Sequence, residues 1–271
     1  MKKLSAIIVT YNSEPDIYGC LDTLFAHNDL GDALEVIVVD SDSRDFAHLK
    51  DELTRLYSDK VTLLHNTQNG GYGQGNNMGI KHATSPVIMI MNPDVRLVDI
   101  SLKEIVARFK EDENIAICGF RQIINDTGKR GTSFSLLNHY AGFVRLIGGI
   151  AAKRFDCFCW RHMYFCGACF CVRKEMFEQA GLFDEHIFLY GEENDIHYRI
   201  HKVFPKAYDV YMRHSIYLHP TENRPTTEAA FQLRVQSNEY VMQQQGRKPG
   251  TYIKSETQRL KWAKRLFGNA Q

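Results

Sequence analysis

The sequence predicts an α/β fold: a mixed, mostly parallel central sheet flanked by helices, with a helical extension at the C-terminal end. Three observations lead there. Four apolar runs, at 4–10, 35–40, 61–65 and 87–91, recur through the first third of the chain. Each is continuous rather than alternating, as strands covered on both faces are. Helical spacing fills the intervals, and a β–α–β rhythm implies parallel strands joined by right-handed crossovers.

In order, 4–10 is the first strand, and a helix opens at Ser13, where Ser13-x-x-Asp16 has the shape of a capping box. The second strand, at 35–40, is followed by a helix at 46–57. The third, at 61–65, precedes a glycine-rich stretch and a helix near 75–83. The fourth, at 87–91, is the most hydrophobic, and Ser101-x-x-Glu104 opens the next helix. Residues 125–161 show no clear periodicity and read as a loop. Beyond them come a strand at 163–173, a short helix at 174–180 stopped by Gly181, and a helix at 195–204 with Pro205 past its end. Short strands at 208–211 and 216–219 precede a long polar helix at 226–245, ended by Gly246. This organisation suggests one domain over 1–222, with halves at 1–100 and 101–222, and a helical extension over 223–271.

The chain has 271 residues, 44% hydrophobic and 24% charged, with a formal net charge of +1. That is the composition of a globular protein with an ample core. The near-neutral balance offers no global attraction for nucleic acid. No apolar run approaches the ~20 residues that span a bilayer. Lys2-Lys3 before a short apolar stretch resembles a leader only superficially, since that stretch enters Thr10-Tyr11-Asn12 without a small-residue cleavage site. A cytoplasmic protein is expected. Seven cysteines, an odd number, suit a reducing compartment. Cys157, Cys159, Cys166, Cys169 and Cys171 cluster, and Cys166-x-x-Cys169 has zinc-ligand spacing, but buried free thiols on strands are the expected reading.

In an open parallel sheet, ligands bind at the carboxyl ends of the strands. The residues there are Thr10-Tyr11-Asn12, Asp40-Ser41-Asp42, Asn69 to Asn77 and Asn92-Pro93-Asp94. The stretch from Asn69 to Gly79 lets backbone approach a ligand and opens a helix whose N-terminus favours anions. It follows the third strand, where a dinucleotide loop would follow the first. Asp94 ends an apolar strand, a costly place for a carboxylate without a partner. A divalent cation bound to a diphosphate is a natural partner, since Mg²⁺ and Mn²⁺ combine one or two protein oxygens with phosphate oxygens. His219 is placed to complete that site. Glu192, Glu193 and Asp195 crowd at a helix start, where mutual repulsion and the helix N-terminus oppose each other. Asp195 is set to pair with Arg199 one turn on, leaving Glu193 for proton transfer. The stretch 254–267 holds five basic residues and one acid among Leu260, Trp262, Leu266 and Phe267, the pattern of a helix that lies on an anionic membrane.

Taken together, these segments resemble glycosyltransferase family 2, which has the GT-A fold, over roughly residues 4–220. The likeness runs through 7–12, the Val38–Ser43 turn, the glycine stretch, Asn92-Pro93-Asp94, Gly167-Ala168, 181–185 and 188–195, and Asn92-Pro93-Asp94 is similar to the rhamnosyltransferase-like branch. The resemblance implies an inverting transfer of a hexosyl or deoxyhexosyl group from a dTDP-, UDP- or GDP-linked sugar to a hydroxyl acceptor. The acceptor would be a glycan or lipid-linked glycan in bacterial cell-surface polysaccharide synthesis, at the inner face of the membrane. It implies that 1–100 is a nucleotide-binding half and 101–222 an acceptor and catalytic half. Thr10, Tyr11, Asn12 and Glu14 then line the nucleotide, Asp40 contacts its base, and Asn69, Gly71, Asn77 and Asn92 border the nucleotide-sugar. Asp94 holds Mg²⁺ or Mn²⁺ with His219. Glu193 occupies the position of the family's usual catalytic Asp, with Glu192 beside it. An inactive nucleotide-sugar-binding protein and a sugar nucleotidyltransferase are the alternatives. Intact acids at 94, 193 and 195 argue against the first, and the absence of a basic glycine loop after the first strand argues against the second.

Overall fold

The computed structural model describes residues 1–220 and 227–267. The expected domain boundary at 222/223, and the start of the long polar helix at Thr226, lie outside these residues. The chain runs β1 (Leu4–Thr10), α1 (Asp16–Ala26), β2 (Leu34–Ser41), α2 (Phe46–Tyr57), β3 (Thr62–Asn66), α3 (Tyr72–His82), β4 (Val87–Met91), β5 (Arg96–Asp99) and α4 (Leu102–Glu111). It continues through β6 (Ile115–Ile123), β7 (Phe134–Leu136), α5 (Gly142–Phe155), β8 (Met163–Phe165), β9 (Cys169–Arg173), α6 (Lys174–Gln179), α7 (Glu192–Val203), β10 (Tyr208–Leu218), α8 (Glu228–Gln244) and α9 (Thr251–Phe267).

Eight strands form one sheet in the order β3-β2-β1-β4-β9-β6-β10-β5. β3, β2, β1 and β4 are parallel, β9 runs against both its neighbours, and β10 is parallel to β6. The mixed, mostly parallel sheet is as expected. Its two faces bury separate clusters. Leu4, Ala6 and Ile8 of β1 face α1, α2 and α4, while Ile7 and Ile37 face α3, α6 and α7. These side chains are at most 1% exposed, and each Leu and Ile among them contributes about 1.5–3 kcal/mol by burial.

Several expectations need correction. Residues 125–161 are not all loop: β7 and α5 lie within them. The helix α5 escaped notice because it exposes Phe143, Val144, Ile147 and Ile150, so apolar residues occupy its outer as well as its inner side. The stretch 163–173 is two strands, interrupted by Cys166-Gly167-Ala168. The stretches 208–211 and 216–219 are one strand, β10, with a register shift between Met212 and Ile216. β5 and β6 were not anticipated. α3 starts at Tyr72, three residues early, and α7 at Glu192. Ser13 does not cap α1; its hydroxyl donates to Tyr11 O, whereas Ser101 Oγ does accept from Glu104 N. Cys169 and Cys171 are buried free thiols on β9, but Cys157 and Cys159 are exposed. No helix among the described residues is long and apolar enough to cross a membrane.

Candidate active site

The register brings the predicted residues to one edge. Thr10 pairs with Asp40 across β1 and β2. Ile8 pairs with Met91, so Asn92-Pro93-Asp94 follows β4 at the level of the β1 exit. The turns there brace each other. Asn12 N donates to Ser43 Oγ at 2.8 Å, Arg44 N donates to Asn12 Oδ1 at 3.0 Å, and Ser43 N donates to Asp40 Oδ2 at 3.0 Å. Glu14 accepts from the Tyr18 hydroxyl and lies 3.4 Å from His48 Nδ1. Tyr11 is half exposed. Thr10 Oγ1, Asp40 Oδ1, Ser41 Oγ, Asn76 Oδ1 and His219 Nε2 are all buried without a hydrogen-bond partner. Native proteins pair nearly all such groups, so a cluster of exceptions at a strand edge marks a ligand site.

Asp94 and His219, 125 positions apart, do meet. His219 Nε2 lies 3.4 Å from Asp94 Oδ1, and both side chains are about nine-tenths buried. A buried imidazole nitrogen without a hydrogen bond, facing a carboxylate oxygen, is a donor pair that fits a divalent cation. The nitrogen tilts the preference from Mg²⁺ towards Mn²⁺.

The glycine stretch is tightly packed. Gly71 has φ of +94°, and a Cβ there would sit 2.1 Å from Phe188 O. Tyr72 N, the first amide of α3, donates to that same carbonyl at 3.1 Å. A Cβ on Gly75 or Gly79 would strike Val9 or Ile7. The close backbone approach therefore serves packing of α3 on the sheet and on 183–188. Asn69 Oδ1 accepts from Gly71 N. Asn77 is a clamp of the same kind: its amide donates to Phe183 O and Glu185 Oε1, and its oxygen accepts from Phe183 N.

Three backbone residues tie this edge to the acidic helix. In Cys166-Gly167-Ala168, Gly167 N donates to Glu193 Oε1 at 2.9 Å, and Gly167 O accepts from Tyr72 OH at 2.7 Å. Ala168 O accepts from Asn92 N at 2.8 Å. One short segment thus joins the base candidate, the glycine helix and the Asp94 turn. A Cβ at Gly167 would lie 2.2 Å from Glu193 Oε1. An isolated glycine inside an apolar strand pattern was the available signal of such an approach.

The three acids at the start of α7 differ. Asp195 is gripped by Arg199, whose Nε donates to Asp195 Oδ2 at 2.7 Å, as the spacing anticipated. Burial raises its carboxyl nonetheless. Glu192 is 2% exposed, and its Oε1 has no partner. Burial, with the adjacent Glu193, pushes it well above the carboxylate range. Burial also raises Glu193, but amide N–H groups, that of Gly167 among them, oppose the rise. Glu193 also lines a cavity of about 550 Å³ that Glu192 does not reach. Its walls come from β6 to β8, the start of α7, α5, α8 and α9, and include Asn138, Tyr164, Arg145 and Arg234. Sequence reasoning missed Asn138 and Arg145 because their segment, 125–161, read as loop, and nothing local tied Tyr164 or Arg234 to a site.

The chain matches the Glycosyl transferase family 2 profile over residues 5–181. It is 27% identical over 209 residues to the Low-salt glycan biosynthesis hexosyltransferase Agl10 of Haloferax volcanii, covering 72% of this chain and 61% of that one. It is 28% identical over 131 residues to the Uncharacterized glycosyltransferase YibD of Escherichia coli K12, covering 47% and 36%. It spans less than two thirds of the length of the curated relatives it matches. Among solved structures it resembles the mannosyltransferase PcManGT from Pyrobaculum calidifontis in complex with GDP-Man and Mn²⁺, with a TM-score of 0.61 at 15% identity over 97% of this chain and 75% of that one. It also resembles GalNAc-T7 with UDP, GalNAc and Mn²⁺, with a TM-score of 0.64 at 15% identity over 98% and 56%. These neighbours are GT-A glycosyltransferases, and the fold is GT-A. With a family profile matched over most of its length, the chain belongs to glycosyltransferase family 2.

Proposed function

We propose that this chain is an inverting glycosyltransferase that uses a nucleotide-diphosphate sugar. The observation that carries the reading is the 166–168 segment, which holds the Glu193 carboxylate beside the turn that carries Asp94. Thr10, Asn12 and Asp40 bind the nucleotide, and the orphaned Thr10 Oγ1 and Asp40 Oδ1 supply polar contacts. Gly71 and Asn77 act on the donor through the 183–188 segment they hold. Asp94 and His219 hold the cation, which when bound supplies positive charge against the diphosphate. Glu193 takes the proton of an acceptor hydroxyl. The acceptor oxygen bonds to the anomeric carbon as the bond from that carbon to the phosphate oxygen breaks, and the nucleoside diphosphate leaves with the electron pair. A retaining route would ask for a nucleophilic carboxylate, but Glu192 is buried away from the cavity and Asp195 is committed to Arg199. The Asn92-Pro93-Asp94 form supports a rhamnosyl-type donor. Screening dTDP-, UDP- and GDP-linked sugars with Mn²⁺ by thermal shift identifies the donor. Proton NMR of the product is then expected to show an inverted anomeric configuration with release of free nucleoside diphosphate; retention, or pyrophosphate as product, would overturn the reading.

The cavity beside Glu193 receives the acceptor. Six Arg and Lys side chains line it against three Asp and Glu, which suits an acceptor bearing phosphate, such as a lipid-linked glycan of cell-surface polysaccharide synthesis. α5 forms one wall through Leu146, Gly149 and Ile150. Its outer side exposes Phe143, Val144 and Ile147, and Phe143 packs on Trp262 of α9, ring centroids 5.1 Å apart. Leu260 and Leu266 are also exposed, among exposed Lys254, Lys261, Lys264 and Arg265. The two helices together form an apolar face rimmed by positive charge, suited to the anionic cytoplasmic side of a membrane. The side chain of Phe267 lies outside the described residues. Wild-type protein is expected to co-sediment with vesicles containing phosphatidylglycerol. Combining Phe143→Ser with Trp262→Ser should weaken binding at least about tenfold, since burying each ring is worth roughly 1.5–3 kcal/mol. Equal sedimentation of the two proteins would remove the membrane from the proposal.

A further inference from the structure

A second cluster of ionisable groups sits at the other end of α7 from Glu193. His197 and His201 are four residues apart and so share one helix face. Both reach Asp209 near the start of β10. His197 Nδ1 lies 2.9 Å, and His201 Nε2 3.2 Å, from the same oxygen, Asp209 Oδ2. The three ligand atoms lie within 4.8 Å of one another, and among the described residues no other group of three His, Cys, Asp or Glu is so disposed. Cys166 and Cys169, which have zinc-ligand spacing, are not part of it.

The burial and the pairing are both unusual for a plain hydrogen-bonded carboxylate. Asp209 has a side-chain exposure of 0%, His197 6% and His201 13%. Both imidazoles converge on one oxygen, while the other, Asp209 Oδ1, is buried with no hydrogen-bond partner. A carboxylate satisfied by hydrogen bonds alone spreads its donors over both oxygens. Zinc with bonds of about 2.0–2.1 Å places neighbouring tetrahedral ligand atoms about 3.3 Å apart. The two spacings above already approach that edge.

We propose that His197, His201 and Asp209 bind Zn²⁺ at a site separate from Asp94 and His219, and that the metal clamps α7 to β10. Two imidazoles and one carboxylate favour zinc over Mg²⁺ or Mn²⁺. Three protein ligands leave a fourth position for water, and the Trp160 ring, 4.9 Å from that of His201, flanks the cluster. The position after His197 is Tyr198, where a hydrolytic His-Glu-x-x-His helix has its general base. The cluster therefore lacks that base, and the role proposed for the ion is to clamp the two elements. Its place gives it a purpose: α7 opens with Glu193 and β10 leads into His219, so one ion fastens together the elements that carry the base and half of the Asp94 pair.

Metal counting on the full chain tests this. The protein is stripped with EDTA, exposed to ZnCl₂, passed through gel filtration and measured by inductively coupled plasma mass spectrometry. Wild type and Asp94→Asn are each expected to retain about one zinc per chain, and His201→Gln and Asp209→Asn less than about a tenth of that. Cobalt-loaded wild type is expected to show the visible bands of a four-coordinate ion. Zinc at about a hundredfold its Kd should raise the Tm of wild type by roughly 5 °C or more. Wild type without zinc above the buffer blank overturns the proposal whether or not the variants fold. Zinc retained by His201→Gln, or lost from Asp94→Asn, overturns the assignment to these ligands.

Discussion

Glu193→Gln is expected to lower kcat by roughly 10²- to 10⁴-fold, the usual contribution of a general base, and to leave the Kd for the nucleotide-sugar within about twofold, since the base touches only the acceptor's proton. The amide is a clean probe here. Its oxygen still accepts from Gly167 N, so the 166–168 segment and its bonds to Tyr72 and Asn92 are preserved. Only the capacity to take a proton is lost. The pH dependence gives a second readout. Burial raises the Glu193 carboxyl above its ordinary value, so the base is protonated, and turnover lost, as the pH falls through that raised value. The acidic limb of the wild-type kcat profile should therefore lie above the ordinary Glu value of about 4.3, and it should be absent from the residual activity of Glu193→Gln. Near-normal turnover in the variant would sink the assignment. Glu192→Gln supplies the contrast. Burial and the adjacent Glu193 raise the Glu192 carboxyl, and Glu192 lies outside the cavity, so its amide should cost far less than that of Glu193.

Asp94→Asn is expected to cut kcat/KM by more than about 100-fold, because even groups one shell removed from a metal cost 10- to 100-fold when changed. The dependence is sharp because Asn92 stands where a second acid is usual in the family pattern. Asp94 is then the one carboxylate of its turn, with His219 3.4 Å away. Isothermal titration of the nucleoside diphosphate with and without Mn²⁺ separates this from misfolding. The Mn²⁺-dependent increment in affinity should vanish in the variant while the metal-free affinity stays within about twofold. An unchanged Mn²⁺ increment would count against a metal at Asp94. EDTA treatment of wild type should reproduce the loss, and added Mn²⁺ should restore more activity than added Mg²⁺, given the imidazole nitrogen at the site.

The parallel half of the sheet was legible because buried parallel strands are continuous apolar runs, and the runs at 4–10 and 87–91 carry no competing pattern. The strand-end rule then located Thr10, Asp40 and Asp94 together without any coordinates. The pairing of Asp195 with Arg199 was equally local, since it needs only four residues of helix. What failed was non-local. Gly167 interrupts its strand so that Glu193 can reach its amide, and nothing within that segment names a partner 26 residues away. The glycines at 71, 75 and 79 suggested a close approach correctly, but not what approaches: the neighbours are Phe188, Val9 and Ile7. α5 was read as loop because its two sides meet different surroundings, the cavity and the exterior, and both are apolar.

By itself the sequence determined which residue types stand at the strand ends and helix starts, and hence which residues are candidates for the site. Those features depend on periodicity and on chemistry within one turn or one strand. Only the tertiary structure distinguishes the two adjacent glutamates, because Glu193 takes the Gly167 amide and lines a cavity, both supplied by other parts of the chain. Likewise, only the packing of α7 on β10 brings His197 and His201 to Asp209. A helix fixes which residues share a face, but what that face meets is set by the rest of the fold.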